Sequence, residues 1–356
     1  MPATEPTHVA LRHEPRSGPR VLLVRLSAIG DCIQTMPLAS AIRRHWSDCH
    51  LTWAVEAPAA ELVAAHQAVD SIIALPRHFS KSPRFLWQLR RLLRGLHFDL
   101  TLDPQGLTKS GLVARLSGAP RRIGLARPAS RELNPWFQTD LVASRREHRV
   151  ERYLELLNPL GADSPVVDFG LDIPDSARGP LQQLLRSPRL QTGFVTINPG
   201  AGWDSKRWPI ENYAEVARCL AGRNVPCVVT WGGRKEQAWA AEIVRLSGEA
   251  AILAPPTSLL ELAAILKHAQ LFIGSDTGPL HLAAAVGTRC VALFGSSLAA
   301  ACGPYGAGHI ALQEAYDDSP ARKRPAADNW AMRRITPTAA LEACESLLPK
   351  PHRLVA

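Results

Sequence analysis

Residues 20–37 read RVLLVRLSAIGDCIQTMP, and the order of residue types in this stretch decides the fold. Arg20 to Leu26 is an aliphatic run of the length of a buried strand. Gly30 then opens a stretch in which Ile33, Met36 and Ile42 recur at helical spacing toward His45. The chain thus passes from a strand through a tight turn into a helix. The alternation continues outward through Leu51 to Val55, a helical region around Glu61, Ser71 to Leu75, a helix carrying Phe85, Leu86, Leu89, Leu92 and Leu96, and a strand over Asp99 to Asp103. Strands separated by helices predict an α/β fold with a mostly parallel sheet covered on both faces, because a parallel connection needs a crossover. The first half is therefore Rossmann-like.

A second series contains strands over Gly193 to Asn198, Pro226 to Trp231, Leu271 to Gly274 and Arg289 to Phe294. Ser258-Leu-Leu-Glu261 is a capping box that starts a helix running to about Leu266. Between the halves, a charged amphipathic helix around His148 to Leu160 leads into the Pro-, Asp-, Ser- and Arg-rich segment from Gly161 to Gln191, read as the connection. Thr336-Pro337 opens a last helix with Leu341, Cys344 and Leu348 on one face. The expected organisation is a mobile tail over 1–18, an N-terminal Rossmann-like domain over 19–165, a connection over 166–192, a second Rossmann-like domain over 193–330 and a C-terminal helix within 331–356.

Length and composition agree with two cores. The chain has 356 residues, more than one core usually supports, with 46% hydrophobic and 21% charged residues. No stretch is long and apolar enough to span a bilayer, and residues 1–18 lack the apolar run of a secretory signal. Seven cysteines, Cys32, Cys49, Cys219, Cys227, Cys290, Cys302 and Cys344, are scattered without a C-x-x-C pair, which suits a reducing cytoplasm and suggests neither a zinc site nor a disulfide framework. A formal charge of +9 favours anionic partners. Nucleic acid is disfavoured, because the basic residues look dispersed, the short Ala321 to Arg324 stretch reads as a solvated loop, and no nucleic-acid module is recognisable.

Open parallel sheets bind ligands beyond the carboxyl ends of their strands, so the strand-to-helix turns are where chemistry is expected. The first, Ser27-Ala28-Ile29-Gly30-Asp31, places a carboxylate at a helix start. Alone, Asp31 reads as a helix cap, the commoner role for such a residue. The second turn, Asn198-Pro-Gly200-Ala201-Gly202, is followed by Trp203-Asp-Ser-Lys206-Arg207-Trp208-Pro209, and joins exposed backbone donors to an ammonium suited to a diphosphate. The third, Gly274-Ser-Asp276-Thr277-Gly278-Pro279-Leu280-His281, sets polar side chains and free amides at a helix start; an ordinary capped helix fits its local pattern equally well. The fourth, Trp231-Gly232-Gly233-Arg-Lys-Glu236, offers the Glu236 carboxylate to an adenosine ribose, or simply to its own helix dipole.

Taken together, these turns resemble glycosyltransferase family nine, the lipopolysaccharide heptosyltransferases. The resemblance spans nearly the whole chain through Arg20 to Pro37, Asp103 to Ser110 (DPQGLTKS), His148-Arg-Val-Glu-Arg152, Asn198 to Pro209 and Asp276 to His281. It implies the GT-B architecture, with two Rossmann-like domains facing across a cleft and a C-terminal helix packing back on the N-terminal domain. It also implies a nucleotide-sugar donor, usually ADP-heptose, in the second domain and an anionic glycolipid acceptor, usually the Kdo-bearing lipid A core, in the first. By the same match Asp31 corresponds to the general base, Lys206 to the diphosphate contact, and Asp276, Thr277, Gly278 and His281 to the donor pocket.

Inverting transfer needs a base on the acceptor hydroxyl, and positive groups at the departing diphosphate. No Asp-x-Asp signature offers a metal site, so metal-independent transfer without a cofactor is expected. Lys109, Arg121, Arg122 and Arg127 are candidates to face a phosphorylated acceptor. Peripheral contact with the cytoplasmic face of the inner membrane would rest on positive charge and be salt-sensitive. Two departures stand out: the N-terminal tail is extra, and Gly200-Ala201-Gly202 lacks the hydroxyl side chains some family members place near the phosphates. A nucleotide-sugar epimerase of the same architecture and a non-catalytic nucleotide-sugar-binding protein are the competing readings; the first acts without an acceptor and the second consumes no donor.

Overall fold

The structure is a computed structural model and describes residues 9–11, 17–162, 166–319 and 324–349. It divides into two compact units, Met1–Asp172 and Ile173–Ala356. The first contains β1 (Val9–Leu11), β2 (Arg20–Val24), α1 (Ile29–His45), β3 (His50–Glu56), α2 (Ala57–Ala64), β4 (Ser71–Leu75), α3 (Pro83–Gly95), β5 (Leu100–Asp103), α4 (Thr108–Ser117), β6 (Arg121–Leu125), β7 (Asp140–Val142) and α5 (Arg149–Leu154). Its sheet runs β1-β4-β3-β2-β5-β6-β7, parallel throughout except for β1.

The strand β2 lies at the centre, with Val21 opposite both Leu51 of β3 and Leu100 of β5. Both of its faces are covered, which is why its sequence is continuously aliphatic rather than alternating. One face, Leu22, Val24 and Leu26, meets Phe85, Leu89 and Leu93 of α3. Those three residues recur every four positions, so they share one side of the helix. Each contributes about 1.5–3 kcal/mol by leaving water, and Leu89→Ala should cost about 2–5 kcal/mol. The helix starts where the sequence dictates: Ser82 accepts the Phe85 N–H at 3.3 Å and Pro83 occupies the first turn.

The second unit contains α6 (Gly179–Leu185), β8 (Val195–Asn198), α7 (Ile210–Ala221), β9 (Cys227–Val229), α8 (Gly233–Leu246), β10 (Ala251–Leu253), α9 (Leu259–His268), β11 (Leu271–Ser275), α10 (Gly278–Ala285), β12 (Cys290–Leu293), α11 (Ala299–Cys302), β13 (Ile310–Leu312), α12 (Trp330–Arg333) and α13 (Pro337–Leu347). Its sheet, β10-β9-β8-β11-β12-β13, is entirely parallel. Ser258 and Glu261 form the expected capping box, at 3.3 and 2.7 Å.

Three expectations about organisation are corrected. Part of the 1–18 tail is a strand: Val9–Leu11 pairs antiparallel with Ser71–Ile73 at the sheet edge, while the rest, apart from Ser17 and Gly18, lies outside the described residues. The 166–192 connection is not a simple linker, because Leu184 and Leu190 join Phe194, Val228 and Ile265 in a core of the second unit. The final helix, expected on the first domain, buries Ala340, Ala343 and Cys344 in the second unit's own core, against α7 and β11 to β13. Small residues let it approach that sheet closely. Ala321 to Lys323 lie outside the described residues, and Arg324 begins a short 3-10 turn.

Candidate active site

In each sheet the strand order reverses at one place, between β2 and β5 in the first unit and between β8 and β11 in the second. Chains leaving two such strands diverge to opposite faces and open a crevice at their carboxyl ends. The polar turns singled out in the sequence follow these strands.

In the first unit β2 ends at Val24 and Asp31 is the third residue of α1. Its Oδ2 accepts the Ala28 N–H at 3.3 Å, which is the cap expected. Ala28 has no side-chain oxygen to complete a reciprocal capping box. Two guanidiniums add what a cap does not need: Arg25 Nη2 lies 2.8 Å from Oδ2 and Arg149 Nη1 donates to Oδ1 at 2.7 Å. Arg25 is buried, its guanidinium 5.2 Å from the centre of the Tyr153 ring. Burial works against its charge, but Asp31, Tyr153 and Cys32 more than offset this, so its pKa lies above the ordinary arginine value. Asp31 remains 24% exposed, so its carboxylate is reachable from solvent.

Around it, Lys109 donates to Ser27 Oγ at 2.8 Å and pairs with Glu56 Oε1 at 2.7 Å. Gln105 Oε1 accepts the Leu26 N–H at 2.8 Å, tying the turn after β5 to the turn after β2. The DPQG stretch is held by Asp103, which is fully buried and accepts from Asn134 Nδ2 (2.6 Å), Gln138 Nε2 (3.0 Å) and the backbone N–H groups of Gln105 and Gly106. Burial raises its pKa against the pull of these bonds. Gly106 has φ +68, and a Cβ there would stand 2.9 Å from Ser130 Cα, so only glycine makes this turn.

In the second unit Lys206 Nζ meets Asp276 Oδ2 at 2.5 Å and stands 4.7 Å from the centre of the Trp203 ring. Asp276 also accepts from His281 Nε2 at Oδ1 (3.1 Å) and from Ser297 Oγ (2.7 Å) and Cys302 Sγ (3.6 Å) at Oδ2. Burial would raise the Asp276 pKa, but the His281 bond and Lys206 overcome it and hold the carboxyl far below the usual carboxylate range. Asp276 is therefore an ionised hub that fixes Lys206 in place. An ammonium carries three N–H donors, so Lys206 keeps capacity for another anion. The adjacent helix α10 begins at Gly278, and the Thr277 side chain donates to Ser275 O at 3.2 Å instead of capping it.

A second group forms at the same edge. Glu236 Oε2 accepts the Gly232 N–H at 2.7 Å, and a Cβ on Gly200 would fall 2.7 Å from that carboxylate. Gly200 is thus small because Glu236 occupies the space beside it. Burial raises the Glu236 pKa, opposed by the Gly232 bond. Ala201 and Gly202 continue the same loop, and no atom would lie within 4 Å of a Cβ on Gly202.

The structure thus gathers Asp31 and Lys109 about one turn, and Lys206, Asp276 and His281 about another, with Gly200, Gly232 and Glu236 beside each other. It corrects two acceptor-side assignments. Arg121 and Arg122 sit at the amino end of β6, level with Leu100 and Thr101 of β5, away from the carboxyl end that carries Asp103. They are held there by Asp140 and Pro159 O, and by Phe137 O and Ala119 O, respectively. Arg127 follows β6 at the right end and donates to Glu132 O at 2.9 Å. The sequence reading did not single out Arg25, Arg149 or Ser297. Arg25 lay inside an otherwise aliphatic strand, which is an unusual place for a charge and was the available signal; Ser297 had none.

Two Rossmann-like units with carboxylate and cationic groups at their switch points are the parts from which GT-B glycosyltransferases are built. The model of glycosyltransferase family 9 (heptosyltransferase) matches residues 86–330, and the chain belongs to this family. It is 29% identical over 321 residues to lipopolysaccharide heptosyltransferase 1 of Pseudomonas aeruginosa, covering 86% of each chain. Among solved structures, it resembles a family 9 glycosyltransferase from Veillonella parvula, with TM-score 0.80, 23% identity and coverage of 92% of this chain and 97% of that one. It also resembles the Escherichia coli heptosyltransferase WaaC, solved with ADP and with ADP-2-deoxy-2-fluoro heptose, with TM-scores of 0.73 and 0.72. Both WaaC comparisons show 24% identity and cover 92% of this chain and 99% of that one.

Proposed function

We propose that this glycosyltransferase moves a heptose from ADP-heptose to a lipopolysaccharide-core or related anionic glycolipid, with inversion at the anomeric carbon and without a metal ion. The observation that carries the reading is the Asp31 carboxylate, held between Arg25 and Arg149 at the switch point of the first sheet. In the proposed step the acceptor oxygen bonds to the anomeric carbon while the bond from that carbon to the diphosphate oxygen breaks. The hydroxyl proton passes to Asp31, and the electron pair leaves with ADP. Lys206 and the first amides of α10 stabilise the negative charge developing on the leaving group, the role a metal would otherwise take. Asp276 acts through Lys206 as a positioning residue, and Glu236 takes the ribose.

The Arg25 and Arg149 guanidiniums at this turn suit a phosphorylated acceptor. We further propose that the chain works in the cytoplasm and meets its lipid-anchored acceptor peripherally, at the inner membrane. Among the described residues no helix is long and apolar enough to cross a membrane. The test is acceptor dependence: ADP and heptosylated lipid should appear together only when ADP-heptose and a Kdo-bearing core acceptor are both supplied. A donor sugar altered without acceptor, or no consumption across a panel of ADP- and UDP-sugars, contradicts the proposal.

A further inference from the structure

From Ser71 to Phe98 the chain carries six Lys or Arg residues, at 77, 81, 84, 90, 91 and 94, and no Asp or Glu. What sets this stretch apart is that its basic residues have no acidic residue among them. Four of the six, Arg84, Arg90, Arg91 and Arg94, lie on α3, whose Phe85, Leu89 and Leu93 are committed to the core. The opposite side is therefore presented to solvent, and Arg84, Trp87, Arg91 and Arg94 recur there at spacings of three, four and three, one stripe along the helix. Trp87 is 63% exposed, with the Arg91 guanidinium 6.0 Å from its ring centre. Among the described residues none of the four α3 arginines has a carboxylate partner. A large exposed indole amid unneutralised guanidiniums gains nothing from water and suits a surface that is anionic outside and apolar just beneath.

We propose that the exposed face of α3 is a docking surface for an anionic lipid bilayer, with Arg84, Arg91 and Arg94 on the headgroup phosphates and Trp87 at the headgroup–acyl boundary. Indoles favour that boundary, and each Lys or Arg near an anionic membrane adds attraction that salt screens. The choice of a bilayer over another polyanion rests on the glycolipid-acceptor reading above; the binding itself does not require transfer. Because the helix's apolar side is already buried in the core, the surface would hold the first unit reversibly against the membrane rather than insert into it.

The experiment is co-sedimentation of the full chain with vesicles of phosphatidylcholine containing phosphatidylglycerol, beside vesicles of phosphatidylcholine alone and single-stranded RNA. The parent should bind the anionic vesicles, release them at high salt, and show Trp quenching by brominated lipid that Trp87→Phe diminishes. The triple variant Arg84→Gln, Arg91→Gln, Arg94→Gln should lose vesicle binding by roughly a hundredfold. It should keep its melting temperature and its activity on a water-soluble, deacylated acceptor, which separates failure of docking from failure of the transferase reading. Equal binding to neutral vesicles, tighter binding to RNA than to anionic vesicles at the same salt, or unchanged binding by the folded triple variant overturns the proposal.

Discussion

Asp31→Asn tests the chemistry with the least disturbance of shape. Asparagine retains an oxygen for the Ala28 N–H but presents an amide, unable to take a proton, where the acceptor hydroxyl needs a base. Loss of a positioned base costs about 10²–10⁴-fold in turnover. The stability cost follows from who is left behind. Arg25 is 6% exposed and loses its carboxylate partner, whereas Arg149, 39% exposed, regains water. Removing one partner of a fully buried pair costs about 3–5 kcal/mol and of an exposed pair about 0–1 kcal/mol. The value for this mixed site is then about 2 kcal/mol, or a fall of roughly 5 °C in the first unit's melting temperature. Donor affinity should not change, because the proposed donor groups belong to the second unit. The assay is single-turnover transfer at saturating donor and acceptor, with donor binding measured by calorimetry. A folded variant that transfers within about tenfold of the parent refutes the assignment of Asp31 as base.

Four further outcomes follow from the second unit. Lys206→Ala should weaken ADP binding and lower turnover by about 10²–10³-fold, as loss of a charge-stabilising donor does, which transient kinetics would show. Asp276→Asn leaves the largely buried Lys206 without its counter-charge and should cost about 3 kcal/mol in denaturant unfolding at neutral pH. Because the folded Asp276 pKa is depressed, its stabilisation is complete above the ordinary carboxylate range and is lost only as pH falls through and below that range; the gap between parent and variant should therefore hold from neutral pH to mild acid and narrow only in stronger acid. Glu236 shows the opposite sign: its folded pKa is raised, so ionisation opposes folding, and Glu236→Gln should stabilise the unit at neutral pH, with the gain vanishing below the ordinary carboxylate value, while donor affinity falls.

How legible this was depended on what each residue had to satisfy. The core strands could be read because burial on both faces demands an uninterrupted aliphatic run, as in Val21 to Val24 and Leu271 to Ile273. Short edge strands could not: Ile310–Leu312 carries too few residues to set a pattern, and Val9–Leu11 is defined by its pairing with β4. The candidate site was legible where a turn has a local signature. Asp31, Lys206 and the Asp276 turn announce themselves by following a strand and opening a helix. Their partners come from remote positions, Arg149 lying 118 residues from Asp31 and Ser297 21 residues from Asp276, and only the tertiary fold brings them close. Arg121 and Arg122 misled because charge in a sequence carries no information about which end of a strand it occupies. Helix α13 misled because its Ala- and Cys-lined face says that it packs closely, without saying on which sheet.

The most direct measurement is the anomeric configuration of the transferred sugar, read by NMR from the coupling and chemical shift of its anomeric proton in donor and product. A carboxylate that only removes a proton permits a single displacement, so the product linkage should carry the configuration opposite to that in ADP-heptose. A product with the donor's configuration excludes a single in-line displacement, and contradicts Asp31 acting as the base on the opposite face in a one-step transfer.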